Sequence, residues 1–330
     1  MIGYARELGL PLRLVGRRRD ALAELARAGE EVWVADAGEV DGLVAAFEGA
    51  CAVVSLAGPF VRVGFGPVEA AIRTGVHYLD SSGEQAFARQ VHSRFGAPAA
   101  ERGVVLLTSF GFDFAPGDLA ARLAAESLEP LDEVDVAYAV ARVAASRGTR
   151  RTIADVLEAD LVAWEDGRLV PSRIGATVHS FRFPWGERIA VEWGGTEPLT
   201  VPRHTEVSRV RSYVRAPRLA ARFGGWARLA APLARGAARV GRAGPSRQAR
   251  QRARFAVVAE ARGPQGGRRV TLAGRDVYGL TGLLLARGAE ALARGEARGA
   301  GALAPAEAFD ARAFAERLSP LLRVDSVEEL

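Results

Sequence analysis

Through the first third of the chain, short apolar runs alternate with segments in which apolar positions recur every three or four residues. That alternation predicts strands separated by helices. Residues 2–8 read as a helix and residues 12–15 as a buried strand. Asp20 then caps a helix over residues 21–28, which Gly29 ends. Residues 32–35 form the next strand, closed by Asp36, and residues 40–47 a helix with one apolar stripe. Residues 51–56 are apolar on both faces, and Gly58-Pro59 breaks the run. Residues 67–74 form a helix with Pro67 at its start and Gly75 beyond its end. Residues 77–80 and 104–107 are further strands, with one helix over residues 85–102 between them. Strands buried on both faces and alternating with helices imply a parallel sheet covered on each side.

From about Leu131 the texture changes. Residues 134–140, 177–183, 188–193 and 205–210 alternate polar and apolar positions. Residues 255–261 do the same and pair across Gly263-Pro264 with residues 269–273. This pattern predicts an antiparallel sheet with one buried face. Residues 280–293 are helical and amphipathic, and residues 314–322 are a short final helix. The predicted organisation is a nucleotide-type domain over residues 1–128 and a mixed α+β domain for substrate or dimer contact over 129–285. A C-terminal helical segment, 286–330, packs back.

Composition narrows the chemistry. The 330 residues are 49% hydrophobic and 25% charged, which marks a folded chain and not a disordered one. No apolar run is long enough to span a membrane. The opening residues lack the apolar stretch and cleavage site of a secretory leader, and Cys51 is the single cysteine. The expected compartment is the reducing cytoplasm. There is no lysine. Schiff-base catalysis, a P-loop lysine and a Tyr-Lys catalytic pair are therefore excluded. The four histidines show no ligand spacing with one another or with Cys51, so no metal is expected. No nucleophile-elbow motif supports a hydrolase.

A doubly wound sheet places its first strand centrally and follows it with a glycine-rich turn, where a dinucleotide pyrophosphate meets a helix N-terminus. Neither precedes the helix at residues 2–8. The expectation is that the natural product starts roughly 15–20 residues earlier. The rival reading is that Met1 is real and cofactor binding has been lost. Arg17 and Arg18 follow what would be the second strand. Arginine there suits the 2′-phosphate of NADP, where an acid would suit NAD; a solvated arginine cluster is the plainer alternative. Asp36 either accepts from an adenine amino group or caps the next helix. Ala57, Gly58, Pro59 and Phe60 end the following strand, where small residues let a dinucleotide pass close to the backbone; an ordinary Gly-Pro turn explains them equally. Two further polar segments come after strands, Tyr78 to Glu84 and Ser109 to Asp118. Asp80 and Asp118 within them are either ligand groups or helix caps.

Together LVGRRRDALAEL, the AGPF turn, GVHYLDSSGE, GFDFAPGDL and the late YGLTGLLL with GALAPAEAF resemble the saccharopine dehydrogenase-like oxidoreductase family, closest to its trans-acting enoyl reductase branch. The resemblance runs through nearly the whole chain. It implies a Rossmann-type doubly wound α/β domain, here without its first strand and glycine-rich turn, and a second mixed α+β domain. It implies NADP as cofactor, with NAD as the alternative. It places Arg17 and Arg18 by the adenosine phosphate and Ala57, Gly58, Pro59 and Phe60 along the dinucleotide. The loop from Gly111 through Pro116 and Gly117 then lies near the nicotinamide. An enzyme of this kind reduces an enoyl or carbonyl carbon of a small or acyl-type substrate. Tyr78 and Asp113 are the candidates for proton transfer.

The net charge of +5 is uneven: between Pro217 and Arg254 stand ten arginines and no acid. That stretch suits an anionic membrane surface, an acidic carrier protein or substrate phosphates; a solvated connection is the plain reading. Nucleic acid is not expected, because no motif accompanies the charge. A homodimer, a non-catalytic interaction protein of the same fold and a peripheral membrane protein remain alternative expectations.

Overall fold

A computed structural model describes residues 1–141, 159–217, 244 and 246–330. Most of the arginine-rich stretch 217–254 lies outside the described residues. The chain divides into two compact units. The first holds Met1–Ser82, Phe87–Gly111 and Thr281–Leu303; the second holds Gly83–Ala86, Phe112–Leu280 and Ala304–Leu330. Among the described residues no helix is long and apolar enough to cross a membrane.

The strands of the first unit are β1 (Arg13–Gly16), β2 (Glu31–Val34), β3 (Ala52–Ser55), β4 (His77–Asp80), β5 (Val105–Leu107) and β14 (Gly301–Ala302). All pair in parallel, as the alternation with helices requires. They form two sheets: β1 with β2, and the order β14-β5-β4-β3. The helix Val40–Phe47 supplies Leu43, Ala46 and Phe47 to a cluster on which both Val15 of β1 and Val53 of β3 pack. Arg13 Nη1 donates to the carbonyls of Ala46 and Glu48 at the end of that helix. β1 and β3 thus share one helical layer without pairing with each other. Gly75 ends the helix Phe65–Thr74 at φ 73°, the left-handed cap expected of it.

Some local expectations are corrected. Coverage on both faces holds for β4 and β5, where Tyr78, Leu79, Leu106 and Leu107 are fully buried. It fails for β2, where Trp33 is 38% and Val34 48% exposed. The reason is that a two-stranded sheet has little to pack on, and the helix Arg19–Leu25 beside it buries no side chain. Asp20 is not that helix's cap; Arg18 holds the position and Asp20 lies in the first turn. The single helix expected over residues 85–102 is interrupted by a π turn at Val91–Phe95.

In the second unit the strands are β6 (Leu131–Ala141), β7 (Leu161–Glu165), β8 (Arg168–Ser172), β9 (Val178–Phe183), β10 (Gly186–Glu192), β11 (Val207–Arg215), β12 (Arg254–Gly263), β13 (Gly266–Arg275) and β15 (Leu322–Glu329). Their order is β15-β13-β12-β6-β11-β10-β9, with β7 on β11 and β8 on β7. The β12–β13 hairpin forms as expected. The sheet is mixed, however, because β6 and β11 run parallel. β6 and β12 are also buried on both faces, where one buried face was expected. On one face Ala137, Ala139, Ala256 and Val258 carry Phe181 and Phe183 of β9. Alanines opposite phenylalanines leave room for the rings, and each buried ring contributes about 1.5–3 kcal/mol. On the other face Tyr138 and Phe255 meet Phe112. The helix Ala115–Ala125 is buried along its length except at Arg122. The final helix stops at Glu316, and residues 322–329 form the edge strand β15.

Candidate functional site

The carboxyl ends of parallel strands leave backbone groups and loop side chains open to a ligand. In the first unit Arg17 follows β1 and Asp36 follows β2, and the side chains approach at 3.8 Å from Arg17 Nε to Asp36 Oδ2. Arg17 is 77% exposed, so this pair contributes little and leaves the guanidinium open to an anion. Arg18 is exposed beside it. Asp36 also accepts from Gly38 N at 2.8 Å, a turn of its own; Glu39, not Asp36, holds the N-cap position of the following helix. After β3, Ala57 and Gly58 are exposed and Pro59 is half-buried. Phe60 turns inward, its ring 5.6 Å from that of Phe87. Gly111 ends the loop after β5, where a side chain would meet Thr281 Cγ2 at 3.3 Å.

Below this shelf lies a buried polar cluster. Register pairs Ser55 of β3 with Asp80 of β4. Asp80 is fully buried, and its Oδ1 accepts from Ser82 N and from Ser109 N, each at 2.8 Å. The Ser82 and Ser109 hydroxyls lie 2.9 Å apart. Burial pushes the Asp80 carboxyl up to about 6, against the pull of those hydrogen bonds. Tyr78, two residues earlier on the same strand face, is fully enclosed. Burial and the neighbouring Asp80 charge push its hydroxyl well up. The two groups face one another, but neither the Tyr78 hydroxyl nor Asp80 Oδ2 makes a hydrogen bond of good geometry. On β4 His77 Nδ1 accepts from Val105 N at 3.1 Å, which fixes its neutral form as the strand's partner.

Asp113, Pro116 and Gly117 belong to the second unit. The Asp113 side chain is reached by solvent, yet the protein around it disfavours the charged form and lifts its carboxyl to about 6. Pro116 and Gly117 are buried in the first turn of the helix Ala115–Ala125. A Cβ on Gly117 would stand 2.8 Å from Tyr138 Cζ and closer still to its hydroxyl and to Glu197 Oε1, so glycine is required there for packing. Tyr138 donates to Glu197, and Ser212 Oγ donates to Glu197 Oε2 at 2.6 Å. Burial lifts the Glu197 carboxyl to about 7. Asp118 is no helix cap. It pairs with His204 Nε2 at 3.0 Å and accepts from Ala306 N at 2.8 Å. Burial alone would raise its pKa, but His204 and these bonds bring it below the usual carboxylate range.

The structure therefore brings together Arg17 and Asp36, with Arg18 the exposed next residue, and separately Tyr78 with Asp80. Two roles escaped the sequence. Asp80 gathers partners from two loops, and Glu197 takes its partners from strands 59 and 15 residues away. No local motif marks either.

No protein-family model matches the chain. Over 86 residues it is 37% identical to a trans-acting enoyl reductase of Mycobacterium leprae, which covers 26% of this chain and 21% of that protein. Over 67 residues it is 37% identical to a saccharopine dehydrogenase-like oxidoreductase of Mus musculus, covering 20% and 16% respectively. The matched stretches span 16% to 28% of the curated relatives' length. The apo histidine-tagged saccharopine dehydrogenase (L-Glu forming) from Saccharomyces cerevisiae matches with a TM-score of 0.64 over 100% of this chain and 96% of that one. At 13% identity that likeness is one of fold. The resemblance read from the motifs is borne out, as is a Rossmann-type α/β fold with a second mixed unit.

Proposed function

We propose that this protein is an NADP-dependent oxidoreductase that reduces an enoyl or carbonyl group of an acyl-type substrate. The observation that carries the reading is the exposed Arg17–Arg18 pair at the carboxyl end of β1, beside Asp36 at the end of β2 and the small residues after β3. Arg17 and Arg18 suit the 2′-phosphate, as paired guanidinium groups do. Asp36 suits the adenine amino group, and Ala57 and Gly58 leave the backbone open to the dinucleotide. The nicotinamide cofactor supplies the hydride when bound. Asp113, in the segment that follows β5, is the group this reading assigns to give a proton to the other atom of the reduced bond. Tyr78 is enclosed, so it acts on the site only through Asp80.

The enzymatic test follows NADPH absorbance with an enoyl thioester and a carbonyl thioester. Turnover with one of them is expected, and Asp113→Asn should lower it roughly 10²–10⁴-fold while leaving cofactor affinity unchanged. Turnover with neither substrate overturns the reading, and an Asp113→Asn variant as active as the parent removes the proton role.

A further inference from the structure

We infer that Asp80 is a positioning residue of the cofactor shelf: its buried side chain sets the spacing of the two loops that leave β4 and β5. The inference rests on the reading of that shelf as the cofactor's seat. Asp80 is the last residue of β4 and takes three backbone N–H groups. Oδ1 receives Ser82 N and Ser109 N, and the Asp80 carbonyl receives Phe110 N at 2.8 Å. The first donor lies on the loop after β4 and the other two on the loop after β5. One side chain therefore fixes both loops, and the Ser82–Ser109 hydroxyl contact closes the ring.

The backbone at the second loop needs such a hold. Ser109 stands at φ 56°, a left-handed conformation that a side chain disfavours. The hydrogen bond from its own N–H to Asp80 opposes relaxation. The chain also leaves the first unit after Ser82 and again after Gly111, so both tied loops carry connections to the second unit. Water does not compete with the clamp, because Asp80 is fully buried and Ser82 and Ser109 are each 2% exposed. The titratable group that faces Asp80 is Tyr78 from its own strand; Ser55, Ser82 and Ser109 bring hydroxyls and amides without charge. Oδ2 and the Tyr78 hydroxyl are left over, both buried and without a well-formed hydrogen bond. A group retained at that cost is explained by what its other oxygen holds.

Asparagine separates the clamp from the charge. Its Oδ1 keeps both acceptor contacts, and its amide N–H can donate to the Tyr78 hydroxyl. Alanine removes everything. The experiment measures hydrogen exchange at the amides of Ser82, Ser109 and Phe110, together with NADPH affinity, for the parent, Asp80→Asn and Asp80→Ala. In Asp80→Ala, exchange at Ser82 and Ser109 should rise roughly 10- to 100-fold, the loss expected for buried bonds to a charged acceptor. Val257 and Val258 in the second unit should not change. Asp80→Asn should stay within about threefold of the parent. Corrected for intrinsic rates, the parent's protection should weaken as pH falls through about 6, and that of Asp80→Asn should not. Unchanged exchange in Asp80→Ala, or Asp80→Asn exchanging like Asp80→Ala, overturns the inference. If Asp80→Ala does not fold, Ser82 and Ser109 amides of the parent that exchange as fast as exposed loop amides overturn it instead. If exchange behaves as expected and the parent binds no NADPH, the loop clamp is supported and the cofactor reading fails.

Discussion

Gly117→Ala should destabilise the second unit through one added methyl group. The new Cβ would lie 2.8 Å from Tyr138 Cζ and nearer still to the Tyr138 hydroxyl and Glu197 Oε1. These atoms belong to β6 and to a buried acid, and neither is the free end of a flexible chain. Tyr138 must move, and overpacking of this kind costs about 1–3 kcal/mol. Moving it also breaks the buried hydrogen bond that the hydroxyl donates, shared between Glu197 and the Phe114 carbonyl, at about 1–3 kcal/mol. Alanine's better helix propensity returns about 1 kcal/mol. The net loss is about 1–5 kcal/mol, centred on about 3, or a fall in Tm of about 6–12 °C at the centre of that range. Thermal unfolding followed by circular dichroism measures it. In the double variant Gly117→Ala with Tyr138→Phe the clashing hydroxyl is gone, so the two effects should fail to add by about 1 kcal/mol. A single variant within about 2 °C of the parent, or strictly additive effects, would refute the packing argument.

The same geometry sets two further outcomes. Burial lifts the Glu197 carboxyl from 4.5 to about 7, so the stability it contributes is full below its unfolded value and is lost as pH rises through 7. Glu197→Gln keeps an acceptor for Tyr138 without the charge. Urea midpoints should therefore show the variant gaining on the parent between about pH 5 and about pH 8, by up to about 3 kcal/mol, and parallel curves would contradict this. At the other unit, Arg17→Gln and Arg18→Gln should each weaken NADPH roughly tenfold and leave NADH unchanged. Equal losses for both cofactors would assign the arginines to a general charge effect.

The features legible in the sequence were local. The helix Val40–Phe47 and the strand His77–Asp80 stand where their patterns place them, because each buries a face that its own residues define. The strand β15 was hidden because Leu322, Val324 and Val327 are too few and too interrupted to mark alternation, and a bulge at Thr271/Leu272 absorbs the irregularity. The parallel pairing of β6 with β11 leaves no local trace, since either strand direction satisfies the same burial pattern. The site divides in the same way. Arg17, Arg18 and Asp36 were visible because a charged residue directly after a short apolar run marks the end of a strand. Asp80 was left open between a ligand group and a helix cap, because a cap and a two-loop clamp present the same residue after the same strand. Gly117 was read as lining a cofactor, and the fold adds a second demand: Tyr138 and Glu197, whose approach no local pattern marks, leave no room for a side chain there.

The central claim is that the first unit seats a nicotinamide dinucleotide along the carboxyl ends of β1, β2 and β3. The direct measurement titrates NADPH, and separately NADH, into the protein and into Arg17→Gln, followed by cofactor fluorescence. The account predicts saturable NADPH binding by the protein, weakened roughly tenfold in Arg17→Gln. Failure to bind either cofactor would contradict it and leave a dinucleotide fold that works by docking to partners.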